Sequence, residues 1–337
     1  MARFLVHRLG QLVLTLLAAS FLVFVLVEAS PGTVARKMLG PFASPDQVRM
    51  LHERLKLGDP IPLRYGRWLG VLVGVMDDPL ADPELKLGAR DSRGTRYFGN
   101  FGISTQMKRP VSEVLWERLG NSLVLAGLAV AVIVPLALAM GMVAALNQGR
   151  AADRAITTVG TILASVPEFA SGVILISIFV VTLGLLPGTS PLYASGRWPI
   201  YAQLVLPVTV LALYVTAYVA RFVRTAFIEV MARPYIRTAI LKGLPYRTVV
   251  FRHAFRNAMI APFTVILLQV NWLLSGVVVT EVVFAYPGIG RLLLEAALFG
   301  DIAVIEATTL VSVCLAATTQ LAGDLGYMLL NPRIRLA

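Results

Sequence analysis

Few side chains in this 337-residue sequence have the types and spacing needed for covalent chemistry. His7, His52 and His253 are far apart, Cys314 is the one cysteine, and no group of Cys, His or carboxylates has metal-ligand spacing. The phosphate loop G-x-x-x-x-G-K-[ST], the zinc signature H-E-x-x-H and the nucleophile elbow G-x-S-x-G do not occur. The chain therefore reads as non-catalytic, with no metal and no cofactor of its own. Its chemistry lies in polar groups set inside apolar runs. Glu168 follows Ser165-Val166-Pro167 near the middle of the run 155–186. An ionised side chain at the centre of a membrane helix costs roughly 2.5–3.5 kcal/mol on insertion scales. Glu168 either lines a path and meets a cationic group, or is protonated or paired with a neighbouring subunit. Gln269 and Asn271, near the middle of the run 258–279, face the path or make interhelical hydrogen bonds. Asp324 and Glu281 read as hydrated charges near helix ends.

A second concentration of chemistry is the basic stretch 221–257, with eight Lys/Arg and one acid, Glu229. Pro234 is placed to open a helix that Tyr235 to Lys242 continue, and Gly243 to end it in the left-handed conformation. Pro245 opens a second helix, in which Val250, Ala254 and Asn257 share one face while Arg247, Arg252 and Arg256 lie mostly elsewhere. A rigid helix, turn and helix transmits a push, whereas a slack loop would only fix topology and contact anionic lipid.

The elements that carry these groups follow from composition. With 57% hydrophobic and 15% charged residues, and charge-free windows of about 20 residues, the sequence describes an all-α polytopic membrane protein. Expected spans are 9–27, 122–146 with Pro135 as a site for a bend, 155–186 broken at Pro167, 200–220 containing Pro207, 258–279 and 303–322. The first run is longer than the apolar region of a cleaved leader, so a retained helix is expected over 1–28. Residues 29–120 form an extracytoplasmic subdomain of loops and short helices. One helix is expected over 44–57, with Ser44 as N-cap, Pro45 at its first position and Gly58 just past its end. Val111, Leu115 and Leu119, set against Glu113, Glu117 and Arg118, suggest a separate amphipathic helix at the membrane surface. A five-helix core spans 121–330, containing the loop 221–257 and an outer re-entry loop 281–301, and a tail covers 331–337.

The net charge of +11 is a matter of location. Arg3, Arg8, Arg150, Arg154, the eight cations of 221–257, Arg333 and Arg335 fall on one side, against only Arg197 and Arg291 in the short loops of the other. The bias places both termini and the stretch 221–257 in the cytoplasm, with six spans. Nucleic acid is not the expected partner; membrane lipid is.

The ordered residues also resemble a family. Tyr235-Ile236-Arg237-Thr238-Ala239, Lys242-Gly243-Leu244, Arg252-His253-Ala254, Arg256-Asn257-Ala258 and Pro262 are similar to the coupling loop of ABC importer permeases, in particular the oligopeptide, dipeptide and nickel branch. Supporting matches are residues 3–9, Phe98-Gly99-Asn100-Phe101-Gly102, Glu281 and Phe284 before Pro287-Gly288-Ile289-Gly290, and Asn331-Pro332-Arg333-Ile334-Arg335, so the resemblance covers nearly the whole chain. The sequence departs from the general importer pattern at Arg237-Thr238-Ala239, which replaces Glu-Ala-Ala, and has Asn331 where the branch often has Asp. Smaller or apolar residues would be unremarkable at Glu168.

The resemblance implies a type I ABC importer permease (MetI-like) fold in a bacterial or archaeal inner membrane. It implies that Tyr235, Arg237, Thr238, Ala239, Lys242, Gly243, Leu244, Arg252, His253 and Asn257 couple to ATPase subunits, with Glu168, Gln269 and Asn271 as candidates for the path. Implied partners are a second related permease, two ATPase subunits carrying ATP and Mg, and an extracytoplasmic solute-binding protein. The competing classes are an ion-coupled secondary transporter with Glu168 or Asp324 as relay, and a receptor or scaffold using the outer subdomain. Six spans without internal repeats and a structured basic loop argue against the first.

Overall fold

Long apolar runs form helices because only intrasegment hydrogen bonds satisfy a backbone deprived of water. The computed structural model describes residues 2–29, 34–39, 43–78, 96–192, 198–274 and 277–330. The expectations for the tail 331–337, for Arg197 and for the side chains of Arg3 and Asp324 lie outside the described residues. Among the described residues the regular elements are helical, and the one extended pairing is an isolated bridge between Ile103 and Pro110.

Among the described residues, four helices contain apolar stretches long enough to cross a membrane: α1 (Ala2–Ala29), α5 (Val111–Leu146), α8 (Ile200–Met231) and α14 (Ile302–Leu330). Two further candidates are bent pairs. Helix α6 (Ala151–Ser165) meets α7 (Glu168–Ile176, extended by π-helical Ser177–Thr182) at 98°, and α10 (Tyr246–Ala258) meets α11 (Ile260–Leu274) at 55°. Six spans are reached only if each bent pair counts as one. The break at Pro167 matches the expectation, since proline removes a donor and clashes with the preceding turn.

The chain divides into two compact units. The first comprises residues 1–122 and 287–317. It contains α1, the short α2 (Val34–Leu39), α3 (Pro45–Arg54), α4 (Ile61–Leu72), the start of α5, α13 (Ile289–Phe299) and the start of α14. Ser44 Oγ accepts from the Gln47 amide at 3.3 Å and Gln47 Oε1 from the Ser44 amide at 2.9 Å, so α3 starts with a complete capping box. It ends at Arg54, earlier than expected, because Lys56 (φ 50°), not Gly58, takes the left-handed turn. Helix α4 docks on α1 through Tyr65, whose hydroxyl lies 2.7 Å from Ser20 Oγ and whose ring meets Phe21 edge-on at 5.1 Å.

Helix α5 corrects one expectation. Val111, Leu115 and Leu119 do form an apolar stripe, but α5 is continuous over 36 residues, and the stripe packs on Ile289, Leu292, Val304 and Ala307 rather than starting a separate surface helix. Polar residues within α5 hold a neighbouring turn. Asn121 Nδ2 donates to the Pro287 carbonyl at 2.9 Å, and Ser122 Oγ accepts from the Ile289 amide at 2.8 Å.

The second unit, residues 123–286 and 318–337, is built around α8. This helix runs through Pro207 and continues to Met231, eleven residues beyond the expected end at Ala220. Val223 and Phe227 are fully buried, so the first third of the basic stretch is a packed helix rather than loop. Glu281, expected to be hydrated, is also fully buried: the short α12 (Val278–Val283) turns it inward with Phe284 and Tyr286.

Gly141 sits at a close approach of α5 and α8. An added Cβ would lie 2.6 Å from the Ala220 carbonyl oxygen, whereas a Cβ at Gly127 on the same helix would meet nothing within 4 Å. Gly141→Ala is expected to lower the thermal midpoint of the detergent-solubilised protein by the equivalent of about 1–3 kcal/mol. Gly127→Ala is expected to raise it slightly, through about 0.5–1 kcal/mol of helix propensity. Tryptophan fluorescence on heating reads both, and equal shifts would contradict the packing.

Candidate functional site

The basic stretch becomes a rigid helical pair because each turn has its own local chemistry. Helix α9 (Pro234–Leu241) begins with proline at its first position, where a missing amide hydrogen costs nothing. It closes on Gly243 (φ 73°): the Gly243 amide donates to the Ile240 carbonyl at 2.9 Å and the Leu244 amide to Ala239 at 3.4 Å, the paired pattern of a glycine-terminated helix. Pro245 then caps α10, whose middle, Val249–Ala254, is π-helical.

That π segment changes which residues face inward. Val249, Val250, Ala254 and Ala258 are buried beside Ile236, Ala239 and Phe227, while Asn257, expected on this face, is exposed. Bonding from i to i+5 widens the turn and rotates the following residues. Asn257 acts as a clamp instead, its Nδ2 donating to Tyr235 Oη and to the His253 carbonyl, each at 3.0 Å. The structure thus brings Tyr235, His253 and Asn257 together. Arg237, Thr238, Lys242, Gly243, Leu244 and Arg252 are exposed. Ala239 is buried within the chain, so it positions the loop and is not free to touch a partner. Ile240, Leu241 (79% exposed), Tyr246 and Phe251 add apolar groups to the exposed cations.

Asp153 and Arg224 were not singled out by sequence reasoning. Arg224 Nε donates to Asp153 Oδ1 at 2.5 Å and Nη2 to Oδ2 at 2.8 Å, and Oδ2 also accepts from the Gly149 amide at 2.9 Å. This bidentate pair ties the start of α6 to α8, seven residues before α8 ends. An acid between Arg150 and Arg154 was the available signal, but its partner is 71 residues away.

The polar residues of the apolar runs are only partly brought together. Glu168 is the first residue of α7, after the bend, and Thr280 Oγ1 donates to its Oε1. Glu168 and Gln269 line one open groove of about 360 Å³, with Ser165, Pro167, Tyr214 and Trp272. Asn271 is not in this lining: two residues along a helix from Gln269 it points roughly the opposite way, and it is half-buried with a polar contact of its own. Tyr214 and Trp272 were missed because lone aromatics in apolar runs look like core. Among the described residues no group of His, Cys, Asp or Glu has the arrangement of a metal site.

Helices of this length and apolarity, with two further candidate spans broken and a basic helical pair between them, have the form of a polytopic membrane protein. Residues 137–336 match the family described as binding-protein-dependent transport system inner membrane component, and residues 1–126 match the family of its N-terminal region. The chain belongs to this family and is a multi-pass inner membrane permease subunit of an ABC importer. It is 32% identical over 338 residues to a putative peptide transport system permease protein of Brucella abortus, covering 99% of each chain. It is likewise 32% identical over 335 residues to the glutathione transport system permease protein GsiC of Escherichia coli K12, again covering 99% of each. A solved structure of the MetNI methionine ABC transporter matches with a TM-score of 0.54 at 16% identity, over 65% of this chain and 97% of that one, and supports the type I permease fold.

If the Asp153–Arg224 pair fastens α6 to α8, Arg224→Ala strands a buried carboxylate and is expected to destabilise the protein by about 3 kcal/mol. Arg154→Ala, at an exposed side chain, is expected to change stability by less than about 0.5 kcal/mol. Thermal unfolding in detergent distinguishes them, and equal effects would show that the pair is incidental.

Proposed function

We propose that this chain forms one half of the translocation path of an ATP-driven importer of peptides or related small solutes. In this reading each bent pair counts as a single span, giving six, both termini are cytoplasmic and residues 29–120 are extracytoplasmic. A solute-binding protein delivers cargo from outside. ATP and Mg reside on two separate ATPase subunits, and a second, related permease completes the path. The names of the 32%-identical relatives, peptide and glutathione permeases, support the cargo class. Exposed apolar side chains along α1, including Val13, Leu14, Leu22 and Leu26, suit contact with lipid and with a second permease.

The observation that carries the coupling role is the rigidity of α9 and α10 combined with their exposed tip. Ile236, Ala239, Val250 and Ala254 are locked into the same core as α8, while Ile240, Leu241, Leu244 and the surrounding cations face outward. Nucleotide-driven closure of the ATPase subunits would push on this tip. The push would reach the span through a packed interface rather than through slack chain. Glu168 and Gln269 are assigned to the path.

Two substitutions test the coupling. Leu241→Asp changes only an exposed side chain. Gly243→Trp forces a bulky residue into a left-handed turn, at a cost of roughly 1–2 kcal/mol, and alters the tip's shape. Both are expected to reduce ATP-driven uptake at least tenfold and to lower the yield of co-purified ATPase subunits, with the permease still inserted. Undiminished co-purification together with normal uptake would overturn the assignment.

A further inference from the structure

The groove at the bend between α6 and α7 has the composition of a cation site. Its one ionisable lining residue is Glu168, and its remaining polar side chains are Ser165, Tyr214, Gln269 and Trp272. One carboxylate oxygen receives the Thr280 hydroxyl, and among the described residues no Lys, Arg or His pairs with it. The bend places the end of α6 and the start of α7 together at the groove. Helix α6 stops at Ser165 and Val166 is extended (ψ 125°), so the last turn presents carbonyls without helical partners and the negative end of the helix dipole. Ser165 Oγ donates back into that turn, to the Thr161 carbonyl at 3.0 Å and the Ile162 carbonyl at 2.8 Å, so its hydrogen is already committed and it adds lone pairs to the groove.

The aromatic side of the groove favours the same ligand. Tyr214 and Trp272 lie 6.3 Å apart, ring centre to ring centre, inclined at 53°, and each is more than one-third exposed. A ring face attracts a cation within about 6 Å, and the attraction grows as water is excluded. The carboxylate and the aromatic walls act in the same sense, while the end of α6 is offset by the start of α7 at Glu168. An anionic group would meet repulsion from the carboxylate, and a purely apolar one would leave Glu168 without a counter-charge.

We propose that this groove is a binding subsite for a substrate ammonium group, with Glu168 as counter-ion and Tyr214 and Trp272 as walls. The assignment rests on the permease reading above and adds the chemical group that the path recognises. The ammonium belongs either to a peptide's amino terminus or to a lysine side chain.

The assembled transporter in proteoliposomes, with its ATPase subunits and binding protein, distinguishes these sources using Ala-Gln-Ala, Ala-Lys-Ala and N-acetyl-Ala-Lys-Ala. Relative to the unmutated chain, Glu168→Gln and Trp272→Leu are each expected to reduce uptake of the ammonium-bearing probes at least fivefold more than uptake of the probe lacking that ammonium. Selective loss of Ala-Lys-Ala against Ala-Gln-Ala points to the side chain. Selective loss of Ala-Lys-Ala against its acetylated form points to the amino terminus. Equal reduction of all three, or none, overturns the site while ATP-driven uptake by the unmutated chain still upholds the permease reading. Should the unmutated chain show no ATP-driven uptake, the permease reading fails and a second measurement decides the site. In the purified full chain with Trp68, Trp116 and Trp198 changed to Phe, propylammonium should quench Trp272 saturably, at least fivefold more weakly after Glu168→Gln. Identical quenching in both, or none that saturates, removes the ammonium site.

Discussion

A polar group withdrawn from water is costly unless it finds a partner within the protein, and that constraint shapes several departures from a straight apolar helix among the described residues. Gln203 shows it most fully. Buried in α8, it accepts from the Leu192 amide at 2.8 Å and donates to the carbonyls of Leu192 and Trp198 at 3.0 and 2.9 Å, fixing both residues against the helix. Ser104 and Asp301 do similar work in the other unit, where the serine hydroxyl and the Gln106 amide both donate to Asp301 Oδ2, at 2.5 and 3.2 Å. Irregular backbone is tolerated where side chains substitute for the lost ladder.

The same constraint gives the basic stretch its mechanical character. A glycine-closed turn at Gly243, the Asn257 clamp on Tyr235 and the burial of Ile236, Ala239, Val250 and Ala254 leave little freedom between α9 and α10. Because α8 extends to Met231 and is tied to α6 by Arg224 and Asp153, the exposed tip adjoins packed helices rather than slack chain. The groove at Pro167 shows the other use of a broken helix. The helix break and a carboxylate are brought beside Tyr214 and Trp272 in one groove.

Much of this was legible from local sequence. Ser44 and Pro45 specify a helix start, Pro167 a break, and Pro234 with Gly243 the two ends of α9, since each acts through its own backbone or near neighbours. The errors came where the deciding partner is distant. The stripe of Val111, Leu115 and Leu119 read as a surface helix because the residues it packs on, Ile289, Leu292, Val304 and Ala307, are far away in sequence. Glu281 read as hydrated because nothing local announces that α12 turns inward. Asn257 was put on the wrong face because a π segment is invisible to a 3.6-residue periodicity.

By itself, then, the sequence determined the apolar runs, the helix caps and breaks, the basic character of 221–257 and a set of motifs sufficient to suggest the family. These are properties of residues acting over one or two turns. Tertiary structure alone decided that Arg224 engages Asp153, that Gln269 rather than Asn271 shares a groove with Glu168, and that Ala239 is buried while Leu241 is exposed. Such pairings depend on the rotation and register of whole helices against one another, and a helix rotated by about 100° per residue carries two neighbours to quite different surroundings.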